Sequence, residues 1–165
     1  MEPVKTLLIL RHAKSLWKYE NLPDHERPLN RRGMGDAPRM GEQLVSRGLC
    51  PDHIVSSTAV RAQTTARLVA EACSYDRAVE LRETLYLSSA ATYLEVLRET
   101  PAKAERAMIV GHNPDVEELV TLLTGRDETM PTAALAWVEL AIDTWDNLHE
   151  GTHGKLAALW RPRKL

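Results

Sequence analysis

Apolar residues fall in short continuous runs that alternate with longer stretches of helical spacing. Val4–Leu10 is the first strand candidate, its continuous apolar stretch Leu7–Leu10 suiting a strand covered on both faces. A polar segment rich in Pro, Asp, His and Arg follows from Ala13 to Asn30 and reads as a loop. Asn30 is then an N-cap for a helix to about Arg47. Met40, Leu44 and Val45 recur at helical spacing, and Gly48 is the stop. Asp52–Ser56 predicts a second strand, and "STAVRAQTTARLVAEAC" a helix with a Ser/Thr start. Ala78–Leu81 is a weak third strand, Ala90–Glu99 a helix stopped by Pro101, and Arg106–Val110 a fourth strand running into "GHNP". Pro114 suits the start of a helix that runs to about Leu123 and stops at Gly125. Ala133–Ile142 and Gly154–Trp160 predict two closing strands joined by a polar turn at Asp143–His153. Arg161–Lys164 reads as a solvated tail. The alternation predicts an α/β fold: a three-layer α/β/α sandwich with a mainly parallel central sheet, spanning residues 1–165 as a single domain.

Composition changes this picture little. The chain has 165 residues, 44% hydrophobic and 27% charged, with a net charge of −2, so it lacks the global basic field that recruits nucleic acid. The two cysteines, Cys50 and Cys73, have no metal or redox spacing and read as free, partly buried thiols in a reducing compartment. Leu7–Leu10 is too short for a signal-peptide core, and nothing approaches a membrane span. The expectation is a cytoplasmic protein with no membrane and no nucleic-acid partner.

The chemistry concentrates at strand ends. In an open α/β sheet, ligands bind outside the carboxyl ends of the strands. Arg11 and His12 close the first strand, Arg61 lies about one helical turn beyond the second, and Gly111-His112-Asn113-Pro114 follows the fourth. Singly, each has an ordinary reading: a strand cap, a solvated helix arginine, a turn histidine. Jointly they bring two arginines, two histidines and helix N-termini to one rim, which suits a phosphoryl group.

"LILRHAKS", "RPLNRRG", "SSTAVRAQTTA" and "VGHNP" resemble, in order, the signature segments of the histidine phosphatase superfamily, whose fold is phosphoglycerate mutase-like. The "RHAKS…W" variant and the compact length are most similar to its SixA-type phosphohistidine phosphatase branch. The resemblance implies that His12 is the nucleophile of a covalent phosphohistidine mechanism. It implies further that Arg11 and Arg61 clamp the phosphoryl oxygens, and that His112 donates to the transferring group, with no metal and no cofactor. Glu83 stands where larger relatives place a general acid; it reads equally as an exposed loop carboxylate. For substrate binding, Ser15 is expected to orient a phosphate oxygen or the loop backbone, and Lys14 to enlarge the positive field. Arg27 is expected at the rim or in an ion pair with a nearby acid, Asn113 and Pro114 in shaping the turn, and Trp17 at the entrance or as a buried anchor of the loop.

The expected partner is a protein carrying phosphohistidine, because the chain is short for the cap insertions that build small-molecule pockets. The alternatives are a general phosphomonoesterase for small phosphate esters and a non-catalytic phosphate-binding module. A metal protein is disfavoured: among six histidines, His149 and His153 have the right spacing, but Gly151 and Gly154 spoil a helix there. The sequence leaves the oligomeric state open.

Overall fold

The computed structural model describes residues 3–165. Six strands form one sheet: β1 (Lys5–Arg11), β2 (His53–Ser57), β3 (Glu80–Arg82), β4 (Arg106–Gly111), β5 (Leu135–Leu140) and β6 (Gly154–Trp160). Their order is β3-β2-β4-β1-β5-β6. The first four are mutually parallel; β5 pairs antiparallel with β1, and β6 antiparallel with β5, so β5 alone runs against the rest of the sheet. Period-two alternation sends Leu7 and Ile9 of β1 to one face and Leu8 and Leu10 to the other, all fully buried. Helices α1 (Arg31–Arg47) and α2 (Val60–Ala72) cover the Leu8/Leu10 face. Helices α3 (Ala90–Arg98) and α4 (Asp115–Thr124) cover the Leu7/Ile9 face. The three layers anticipated from the alternation are therefore present.

The helix ends follow local chemistry. The Asn30 side chain accepts from Gly33 N at 2.8 Å, and Gly48 closes α1 in the left-handed region at φ 68°. Gly33 has a second reason to be glycine, since a Cβ there would collide with the Lys14 carbonyl, against which the first turn of α1 packs. Ser89 caps α3 by accepting from Thr92 N.

Four readings need correction. Cys50 and Cys73 are joined in a disulfide, with Cα atoms 5.6 Å apart, rather than being free thiols. The pairing is tertiary: one lies after α1 and the other caps α2, and no sequence spacing reveals that these ends meet. It also removes the cysteine argument for a reducing compartment. The turn at 143–153 is not merely polar. It contains a one-turn 3-10 helix at Trp145–Asn147 whose Trp145 is fully buried and donates from Nε1 to Ala104 O at 2.7 Å. The C-terminal segment is anchored at its start, where Arg161 Nη2 donates to Thr129 O at 2.8 Å and Pro162 is buried, while Arg163 and Lys164 are solvent-exposed as expected. Trp17 is 61% exposed, which rules it out as a buried anchor. No helix of the described residues is long and apolar enough to cross a membrane.

Candidate active site

Strand register assembles the site. Arg11 of β1 lies opposite Gly111 of β4, so the next residues, His12 and His112, emerge side by side, their rings 5.1 Å apart. Ser56 of β2 lies opposite Val110, which brings Ser57 within reach: its hydroxyl is 2.8 Å from His112 Nε2. This is also where the chain reverses its progress across the sheet, β4 lying between β1 and β2, the position favoured for ligands.

His12 has a defined tautomer. Its Nδ1 is 2.8 Å from Ala13 O. A carbonyl only accepts, so Nδ1 carries the proton and the neutral ring keeps its lone pair on Nε2. Burial pushes the His12 pKa down to about 3, reinforced by His112, Arg61 and Arg11 against the opposing Ala13 hydrogen bond. Burial and Arg61 push that of His112 down to about 4. Both imidazoles are therefore neutral at pH 7. The supports are fixed from several elements. Ala13 N donates to Thr65 Oγ1 at 2.9 Å, and Thr65 Oγ1 donates to Arg61 O at 2.7 Å, tying α2 to the segment after His12. Tyr93 of α3 accepts from His112 N at 3.1 Å and donates to Leu85 O at 3.2 Å. Gly111 is required here, because a Cβ would run into the Tyr93 hydroxyl.

The arginines are held differently. Arg61, nearly buried at the start of α2, donates from Nη1 to Asp24 O at 2.7 Å and from Nη2 to Asp24 Oδ2 at 3.0 Å. Arg11 donates from Nη1 to Met130 O at 3.0 Å, and its buried Nε has no hydrogen-bond partner among the described residues. Met130 is held in turn: its N donates to Glu117 Oε2, and its O also accepts from Asn113 Nδ2 at 3.0 Å. Asn113 therefore shapes the turn, with Nδ2 also donating to Glu117 Oε2.

The remaining residues scatter around this centre. Ser15 is buried and bridges to Leu29 across the loop, while Lys14 is exposed. Arg27 stacks on Trp17 at 3.9 Å and has Asp24 Oδ1 3.7 Å from its Nε. Glu83 is exposed on a one-turn 3-10 helix after β3, and no hydrogen bond or ion pair among the described residues joins it to the histidines or arginines. Sequence reasoning missed Asp24 and Tyr86. Tyr86 donates to Asp24 Oδ2 at 2.7 Å, and its ring lies 5.6 Å from that of His112. Asp24 opens a one-turn 3-10 helix (Asp24–Glu26) within the segment read as a loop, where no periodic pattern distinguishes it from its polar neighbours. Ser57 and Thr65 lay inside the quoted "SSTAVRAQTTA" segment, whose hydroxyls were the available signal. Arg61, Tyr86, Leu87 and His112 line a cleft of about 370 Å³. Among the described residues, no group of acidic, histidine and cysteine side chains is arranged to hold a metal ion.

Residues 7–117 match the histidine phosphatase superfamily (branch 1). The chain belongs to this superfamily. A SixA-type protein from Agrobacterium tumefaciens, named as a candidate phosphohistidine phosphatase, has a solved structure that superposes with a TM-score of 0.80 at 26% identity, covering 98% of this chain and 100% of that one. A SixA-type protein from Nakamurella multipartitia, named in the same way, superposes with a TM-score of 0.76 at 25% identity, covering 96% of each chain. An uncharacterized chloroplastic protein of Arabidopsis thaliana is 29% identical over 151 residues, 86% of this chain and 69% of its own length. Family and neighbours together support a histidine-dependent phosphatase of SixA type in fold.

Proposed function

We propose that the protein is a phosphohistidine phosphatase that works through a covalent intermediate on His12. The observation that carries this reading is the His12 ring itself: neutral, with Nδ1–H committed to Ala13 O and the Nε2 lone pair available. Nε2 attacks phosphorus, and the bond to the leaving group breaks with its electron pair leaving on that group. The cationic phosphoimidazole keeps its Nδ1–H on the Ala13 carbonyl. Water then attacks phosphorus, the P–Nε2 bond breaks and its electron pair returns to the ring. Arg61 keeps further N–H groups for phosphoryl oxygens after its two bonds to Asp24, and Arg11 supplies a second guanidinium. In this reading the two guanidinium groups carry the charge stabilisation, and activity persists in chelator.

A phosphohistidine-bearing protein is favoured over a small ester by the rim. Leu87, 84% exposed, lines the cleft, so its rim offers apolar contact to a surface rather than enclosure of a small molecule. The SixA-type neighbours agree with that substrate class. The test compares kcat/KM for a phosphohistidine-bearing protein domain with that for an aryl phosphate, in chelator. A preference for the domain of about tenfold or more, roughly 1.4 kcal/mol of transition-state discrimination, is expected. A preference for the aryl ester would instead make this a general phosphomonoesterase.

A further inference from the structure

The covalent reading leaves open which group takes the proton when water attacks phospho-His12. We propose that Asp24 is the general base of this hydrolytic half-reaction, an inference that rests on the covalent reading of His12. Four carboxylates near the site compete for the role. Glu83 is exposed, and no hydrogen bond or ion pair among the described residues joins its side chain to either arginine or either histidine. Glu117 binds Asn113 and Met130 through Oε2 and, among the described residues, makes no hydrogen bond or ion pair to Arg11 or Arg61. Asp115 is buried at the start of α4, held by the Ser88 backbone N–H. Asp24 alone binds a phosphoryl clamp directly, at 3.0 Å from Arg61 Nη2.

Its placement suits the geometry of attack. Water must approach phosphorus opposite the departing Nε2, hence from the solvent side of the clamp. The Arg61 side chain is 10% exposed and that of Asp24 46% exposed, so the ion pair meets solvent through its carboxylate partner. Its two oxygens are also differentiated. Oδ2 accepts from both Arg61 and Tyr86, whereas among the described residues the polar partner recorded for Oδ1 is Arg27 Nε, 3.7 Å away. Oδ1 therefore keeps lone pairs for a water while Oδ2 fixes the group in place. Desolvation raises the Asp24 pKa, but the Tyr86 and Arg61 hydrogen bonds outweigh it and hold the carboxyl below its ordinary range, ionised and able to accept. In the step, water oxygen bonds to phosphorus, the P–Nε2 electron pair returns to His12, and one water proton passes to Asp24 Oδ1. Asp24 then releases that proton to solvent.

Asp24→Asn separates this role from the alternatives. With a phosphohistidine domain as donor, the variant is expected to phosphorylate His12 at a rate within several-fold of wild type. It should then release phosphate about 100-fold more slowly, the usual scale of a lost general base, so that acid-labile phosphoenzyme accumulates. Asp24→Glu should restore part of the release rate. If Asp24→Asn instead slows phosphorylation with a raised KM and accumulates nothing, Asp24 only positions Arg61 and the proposal fails. Accumulation in Glu83→Gln but not in Asp24→Asn overturns it in favour of Glu83. A wild type that never becomes phosphorylated on His12 removes the covalent reading, and this inference with it.

Discussion

His12 and His112 are buried imidazoles that the fold keeps neutral, and a proton added to either must enter a region already containing two guanidinium groups. Their folded pKa values lie near 3 and 4, below the ordinary value of 6.5. The unfolded chain therefore binds more protons between these limits, and stability must fall as pH drops from 7 toward 4. At pH 5 each histidine favours unfolding by on the order of 2 kcal/mol. The urea midpoint should accordingly drop between pH 7.5 and pH 5, and His12→Ala should reduce that drop. The same residues can be read directly: the ring-proton NMR shifts of both histidines should not titrate between pH 8 and pH 5.5. A midpoint near 6.5 would mean that the rings are solvated and the electrostatic account of the nucleophile is wrong. His112, paired with Ser57, faces the transferring group in this account, so His112→Ala should cost about 10²–10³ in kcat with little change in fold.

At the scale of elements, the site depends on how β4, α2 and α3 meet. Gly111 ends β4 against the Tyr93 hydroxyl, so Gly111→Ala should destabilise by about 1–3 kcal/mol through overpacking. Adding Tyr93→Phe removes the colliding oxygen. The double variant should then be less destabilised than the sum of the single ones, a coupling measurable by denaturant titration. The disulfide acts on the same elements: it closes a loop of sequence separation 23 that carries Ser57, Arg61 and Thr65. A loop of that size is worth roughly 3 kcal/mol, so reduction or Cys50→Ser should lower Tm by about 6–12 °C. An unchanged Tm would show that the pair adds nothing to the folded state. These elements were mostly legible in advance because their signals are local. Asn30 and Gly48 announced both ends of α1, and unbroken apolar runs announced β1 and β4. What escaped depends on contacts distant in sequence. The Cys50–Cys73 pairing, the burial of Trp145 against Ala104 O and the anchoring of Arg161 on Thr129 O leave no periodic trace.

At the scale of the molecule, the sheet order converts separate sequence segments into one rim. The rule that ligands gather beyond strand carboxyl ends was enough to group His12, Arg61 and His112 from sequence alone. It was not enough to place the loop between β1 and α1, because an aperiodic segment carries no register. That loop supplies Asp24, whose Oδ2 accepts from both Arg61 and Tyr86. Glu83 shows the converse limit: its position after β3 suggested a role, while its side chain faces solvent. Every step assigned to this rim depends on the covalent chemistry of His12. The most direct measurement is to mix wild type and His12→Ala with a phosphohistidine-bearing domain, quench in acid and in base, and locate the phosphoryl group on the enzyme. An acid-labile, base-stable phosphoryl group on His12 of the wild type, absent from the variant, is the predicted result. Full activity in His12→Ala, or phosphate release with no phosphoryl group ever on His12, would contradict it.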